Sequence, residues 1–164
     1  MPMSDSEKLP LVYACSGASS AAQMANHIAV KLDRLKVAEM SCIAGVGGDV
    51  KPLVKTALSG RSIIALDGCP LQCAAKILAR HGLRADKHLD LSELGVKKRK
   101  HEDFDPQEAA QVLQQLLESK DFPGRSTAVV KASPPATPPT PGAMDEPMES
   151  ASPPCYLAEF KDQR

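Results

Sequence analysis

A small doubly wound α/β domain is the fold class this sequence predicts, and two observations predict it. Three short apolar runs, at residues 11–14, 40–44 and 63–66, are nearly continuous rather than alternating. Such runs suit parallel strands buried on both faces of a sheet. Between and after them the apolar residues recur at helical spacing, so strands and amphipathic helices alternate along the chain.

The first run, Leu11 to Ala14, ends at Cys15. Ala21, Met24, Ala25, Ile28 and Leu32 then fall on one face of a helix. The second run contains Cys42 and leads into Gly45, Gly47 and Gly48, read as a strand-to-helix turn, with Asp49 as the N-cap of the next helix. A phosphate-cradling loop is the weaker reading of those glycines, because the full phosphate-loop pattern is missing. Val50, Leu53, Val54, Ala57 and Leu58 form the second helical face, and the third run passes through Asp67 and Gly68 into a helix carrying Ala74, Ile77 and Leu78. A fourth strand is expected around residues 88–91, and a last helix from Ala109, Val112, Leu113, Leu116 and Leu117. The order is βαβαβαβα, a Rossmann-like or flavodoxin-like parallel sheet of about four strands with right-handed crossovers over residues 9–120.

Beyond Asp121 the composition changes: nine of the fourteen prolines lie between Pro123 and Pro154. Residues 121–164 therefore read as a disordered Pro-rich tail. Tyr156, Leu157 and Phe160 at its end are a candidate protein-docking motif, though a terminus of this length more often frays. Cys155 reads as an incidental thiol.

The 164 residues carry 20 basic and 20 acidic side chains, so no net field draws the protein to nucleic acid or an anionic membrane. The basic run Lys97, Lys98, Arg99 and Lys100 is followed at once by Glu102, Asp103 and Asp105, which reads as a solvated loop. No secretory signal or membrane span is expected from the polar start and the absence of a long apolar run, so the expected location is the cytoplasm. In that reducing compartment, five cysteines argue for metal ligation or redox chemistry over a disulfide framework.

Cys15, Cys69 and Cys73 cap or follow strand runs, and Cys42 joins them if the second strand ends there. With strand order 2-1-3-4 the carboxyl ends of strands 1, 2 and 3 share one edge, where ligands of doubly wound sheets collect. Cys69 and Cys73 are an i, i+4 pair, with Pro70 suited to the first position of a helix that would turn both sulfurs one way. A tetrahedral zinc needs sulfurs about 3.8 Å apart, within reach of such a pair. Metal ligation by Cys15, Cys42, Cys69 and Cys73 is thus the leading reading, against burial as inert core thiols and against redox work.

The stretch Ile64-Ala-Leu-Asp-Gly-Cys-Pro-Leu-Gln-Cys-Ala74, with the cysteine of CSGASS, Cys42 and the segment LSELGVKKRKHEDFDP, resembles the DGC-domain family. The resemblance runs from about Leu11 to Ser119 and implies one zinc ion held by Cys15, Cys42, Cys69 and Cys73. A closed four-thiolate zinc is usually structural, so an enzyme is not expected, and metal sensing, delivery or structural support are the roles in view. An iron–sulfur cluster is one alternative. Another is a thiol redox enzyme in which Cys15 attacks and Cys69 or Cys73 resolves. A tyrosine-phosphatase loop is disfavoured, since the arginine it needs six positions after Cys15 is replaced by Ala21. The thioredoxin spacing is absent, since three residues separate Cys69 from Cys73. His27, His81, His88 and His101 show no ligand spacing and read as surface or helix-face residues.

Overall fold

The computed structural model describes residues 9–119 and 122. Of the expected tail over residues 121–164 only Phe122 is described, and it packs in the core; the rest of the tail, Cys155 and the Tyr156–Phe160 motif lie outside the described residues. Four strands form one all-parallel sheet: β1 (Leu11–Ala14), β2 (Glu39–Met40), β3 (Ile63–Asp67) and β4 (Lys87–Asp90), in the order β2-β1-β3-β4. Five helices accompany them: α1 (Ser20–Arg34), α2 (Ile43–Gly47), α3 (Lys51–Ala57), α4 (Cys73–Arg80) and α5 (Pro106–Glu118). The expected fold class and strand order are both found.

β1 and β3 are buried along their whole length, which is why their sequences are apolar without alternation. Val12, Ala14, Ile64 and Leu66 pack on one face with Met24, Ile28 and Leu32 of α1 and with Val112 and Leu116 of α5. Phe122 joins that cluster. Leu11, Tyr13, Ile63 and Ala65 face the other way, toward Val46 of α2, Ala57 of α3 and Leu78 of α4. Full burial of a side chain such as Ile28 or Leu32 contributes roughly 2 kcal/mol. The helix starts are chemically marked. The Ser19 hydroxyl accepts the Ala22 N–H at the head of α1, and the Asp105 carboxylate accepts that of Gln107 at the head of α5, where Pro106 opens the helix.

The second strand differs from its expected span. Only Glu39 and Met40 pair with β1, and residues 43–47 form a helix instead of a strand end and loop. A five-residue apolar run does not distinguish strand from buried helix by period, and here Cys42 decides the matter by capping a helix. Gly45 and Gly47 lie inside that helix, where a Cβ would meet Leu53 and Ile77 respectively; they allow close packing on α3 and α4. Asp49 is not the N-cap of α3. Val50 occupies that position without a side-chain bond, while Asp49 has φ of 58° and turns its carboxylate to Arg80 and His81. Of the apolar face read over residues 50–58, Ala57 is buried and Leu53 and Val54 are half-buried, whereas Val50 and Leu58 stay exposed.

The Asp33 carboxylate in the last turn of α1 accepts the Met40 N–H at 2.9 Å, which ties the helix end to the short β2 strand. That bond first, then the Arg34 guanidinium, holds the Asp33 pKa below its ordinary value. A carboxyl group with a depressed folded pKa stabilises the fold above its unfolded pKa and loses that contribution as pH falls through the folded value. Asp33→Ala should therefore cost about 1 kcal/mol in urea unfolding at neutral pH, and the gap to wild type should narrow as the pH falls through and below the ordinary carboxylate range. A gap independent of pH would refute this assignment.

Candidate metal centre

The four cysteines stand on the segments that follow the carboxyl ends of β1, β2 and β3. Cys15 comes directly after β1, and its N–H donates to the Leu66 carbonyl of β3 at 2.9 Å. Cys42 is the N-cap of α2, two residues past β2; Cys69 is two residues past β3; Cys73 opens α4. β1 and β3 are neighbours from which the chain departs to opposite sides of the sheet, the place where such folds form their crevice.

Asp67, Gly68 and Cys69 each have a separate physical task. Asp67 ends β3 with no exposed surface. One carboxylate oxygen accepts the Ala74 N–H at 2.8 Å; the other accepts the Ala75 N–H at 3.2 Å and meets His88 Nε2 at 3.0 Å. These are the orphan donors of the first turn of α4, whose own N-cap, Gln72, is in the left-handed region and caps nothing. Asp67 therefore caps α4 across the turn, and its oxygens are committed to that work rather than free to complete a metal sphere. At Gly68 a Cβ would lie 2.5 Å from the backbone carbon and oxygen of Ala21, so only glycine lets β3 pass beneath the start of α1. The Gly68 N–H donates to Cys15 Sγ at 3.1 Å.

The helix starts at Cys73, and Pro70 and Leu71 belong to a turn closed by the Gln72 N–H on the Cys69 carbonyl at 3.1 Å. Cys69 and Cys73 are thus not one turn apart on a single helix, as their spacing suggested. The Asp67 carboxylate reaches the N–H groups of residues 74 and 75, which sets the helix start three residues later than Pro70 would. Both thiols still flank one turn.

Three of the four sulfurs already accept a donor. Cys15 takes the Gly68 N–H, Cys42 takes the Gly45 N–H at 3.4 Å, and Cys69 takes Lys98 Nζ at 3.4 Å. Such donors are what a thiolate centre requires around it. Burial pushes the Cys15 thiol up to about 11; the Gly68 N–H opposes the rise, while Asp67, Cys73 and Cys69 add to it. The Cys42 thiol bears instead on the buried Tyr13 phenol, whose pKa is raised chiefly by burial. Among the described residues no three His, Cys, Asp or Glu side chains converge on one point as they stand. The donor set is nonetheless all thiol, on one edge, with N–H partners in place, which fits a soft or borderline metal such as zinc.

Sequence spacing alone did not mark His88 or Lys98. His88 comes beside Asp67 because β4 pairs with β3, with Asp67 opposite Asp90 and Ala65 opposite His88. Lys98 lay in a run whose net charge was offset by the acids after it. His27 stacks near Phe104, and His81 bonds the Val46 carbonyl at 2.9 Å.

Two outcomes follow from this geometry. Gly68→Ala should destabilise the protein by at least about 2 kcal/mol in urea unfolding, because the clash is with backbone and not with a movable side chain; a loss under about 0.5 kcal/mol would contradict the packing described. In reduced, metal-free protein, alkylation followed by peptide mass spectrometry should modify exposed Cys42 and Cys73 first, half-buried Cys69 next and Cys15 last. Early labelling of Cys15 would show that the β1 edge is open.

The DGC domain matches residues 11–116. A curated relative, "Anaerobic and virulence modulator AnvM" of Pseudomonas aeruginosa (strain PAO1), is 58% identical over 113 residues, spanning 69% of this chain and 86% of that protein. No solved structure matches. Among the described residues no helix is long and apolar enough to cross a membrane. The match fits a cysteine-containing, metal-binding protein, and on its extent and the relative's identity the chain belongs to the DGC domain family.

Proposed function

We propose that this protein binds one zinc ion through Cys15, Cys42, Cys69 and Cys73 and serves as a metal-responsive module, in sensing or delivery, rather than as an enzyme. The observation that carries this reading is the set of sulfurs on one sheet edge, three of them already accepting hydrogen bonds from N–H groups or an ammonium. Zinc bound there would supply a charge centre that binds thiolates tightly and undergoes no redox change of its own. Cys15 would give the fixed ligand, held by its backbone position and by Gly68. Cys69 and Cys73 would approach from the two ends of the turn that Asp67 braces, and Cys42 from the head of α2.

Exchange, rather than permanent stapling, is favoured because Cys42 and Cys73 are exposed and because, of the four thiols, Cys15 alone takes part in the apolar packing on the sheet faces. The name of the relative, a modulator, agrees with a regulatory use. The reading assumes a reducing cytoplasmic setting.

A thiol redox role with Cys15 as the attacking group is less well supported. Cys15 is buried, so an attacking sulfur there is poorly reached by a substrate or oxidant, whereas an ion would also be met by the exposed Cys42 and Cys73.

Elemental mass spectrometry of protein purified without added metal should give about one zinc per chain. The variant with all four cysteines changed to serine should give none while keeping the wild-type circular dichroism spectrum. Iron with acid-labile sulfide would replace zinc by a cluster, and a folded, reduced, metal-free wild type would overturn the metal reading.

A further inference from the structure

The basic run at residues 97–100 is built into the cysteine edge. It follows Val96, which is buried and whose N–H bonds the Leu91 carbonyl at 3.1 Å. The run is then fixed to the head of α1 at two successive serines. Ser20, 1% exposed, donates its hydroxyl to the Lys97 carbonyl at 3.3 Å, accepts the Arg99 N–H on that hydroxyl at 3.0 Å, and gives its own N–H to the Arg99 carbonyl at 2.9 Å. Ser19 forms an antiparallel bridge with Lys100. A segment read from its charges as a solvated loop is exposed at all four residues, as expected, and its backbone is in addition a strap tied to the head of the helix that starts just past Cys15.

Within the strap the charges are not equivalent. Arg99 is paired with Glu102 at 3.1 Å, whereas Lys98 places Nζ 3.4 Å from Cys69 Sγ. Four thiolates around a divalent ion leave a formal charge of −2, and the Asp67 carboxylate lies close by without exposed surface. A cation standing against such a like-charged cluster lowers its electrostatic cost, even where two of the sulfurs are exposed.

Resting on the zinc reading above, we propose that Lys98 is the positioning cation of the metal centre: its ammonium offsets the charge of the thiolates through Cys69 and slows loss of the ion. The basic run then serves the centre from within the fold, and its place is set by the buried Ser20 hydroxyl. Because Lys98 is exposed, its effect is that of a screened contact and smaller than that of a buried partner.

The test compares zinc release to a colorimetric chelator from wild type, Lys98→Gln, Lys98→Arg and Lys97→Gln, each loaded to equal stoichiometry. Lys98→Gln should release zinc about fivefold faster than wild type. Lys98→Arg and Lys97→Gln should stay within about twofold of it, because the first keeps the charge and the second alters the strap one residue away from the sulfur contact. The excess rate of Lys98→Gln should shrink at about 1 M salt, where the screening length is about 3 Å. Urea midpoints of the metal-free proteins should coincide. Equal release by Lys98→Gln and zinc-loaded wild type would overturn the proposal, as would failure of Lys98→Arg to restore slow release. A fall in the metal-free urea midpoint would show Lys98 to be a structural residue and would also overturn it. A wild type that purifies and remains without zinc would remove the metal reading itself, an outcome distinct from the other three.

Discussion

The carboxylate of Asp67 is the constraint on which the cysteine edge depends. A carboxylate with no exposed surface is costly to bury, and its cost is offset only if its oxygens are satisfied. Here the Ala74 and Ala75 N–H groups and His88 satisfy them. The same bonds determine where α4 begins, and so where Cys73 projects and how long the turn carrying Cys69 is. Without that anchor the left-handed Gln72 would leave the first turn of α4 uncapped, since its own side chain caps nothing. Gly68 adds a second constraint, drawing β3 under α1 so closely that its N–H can face Cys15. The order of residues in the motif is thus an order of tasks: cap a helix, pass beneath a helix, present a thiol.

The sheet topology extends this local arrangement to the whole edge. With β1 between β2 and β3, the segments leaving β1 and β3 are adjacent, and Cys15 and Cys69 become neighbours although 54 positions apart in sequence. β4 contributes His88 to the brace of Asp67, and the strap after the Leu91–Leu94 turn brings Lys98 to Cys69. Every strand therefore sends something to the same edge: β1, β2 and β3 a thiol, β4 a brace and the start of the strap. This convergence is what parallel strands provide, since all their carboxyl ends point one way.

Much of this was legible in the residues. The continuous apolar runs at 11–14 and 63–66 are the central strands they were read as, and the stripe from Ala21 to Leu32 is buried as its spacing requires. The second run was misread because Met40 to Ala44 is apolar for two reasons, the end of a strand and the start of a helix that presses Val46 into the core. The Cys69–Cys73 spacing and Pro70 both favoured a helix start at Pro70, and neither reveals that a carboxylate several residues earlier caps the helix later. Asp49 was the natural cap by residue type, yet Arg80 and His81 on another helix took its charge. A cap a few residues away decided the first two cases and contacts to another element the third, and residue-type preference displays neither. His88 and Lys98 belong to the same class, since their contacts exist only once β4 lies beside β3 and the strap lies over α1.

The four thiols differ in how firmly the fold holds them, and that difference bears on how a metal site here would work. Cys15 is buried, bound through its N–H to β3 and through its sulfur to Gly68. Cys69 and Cys73 sit at the two ends of a turn fixed by Asp67. Cys42 is exposed, and its sulfur meets one N–H from a helix of only five residues that contains two glycines. A helix that short has few internal bonds of its own, and what holds it is Val46 in the core and the close approach of Gly45 and Gly47 to α3 and α4. Closing four sulfurs around one ion would have to bring Cys42 in from that packed position, whereas Cys15 is already fixed by β3 and Gly68. On the zinc reading proposed above, one sulfur held rigidly and one exposed at a helix head is a division that leaves a path for exchange.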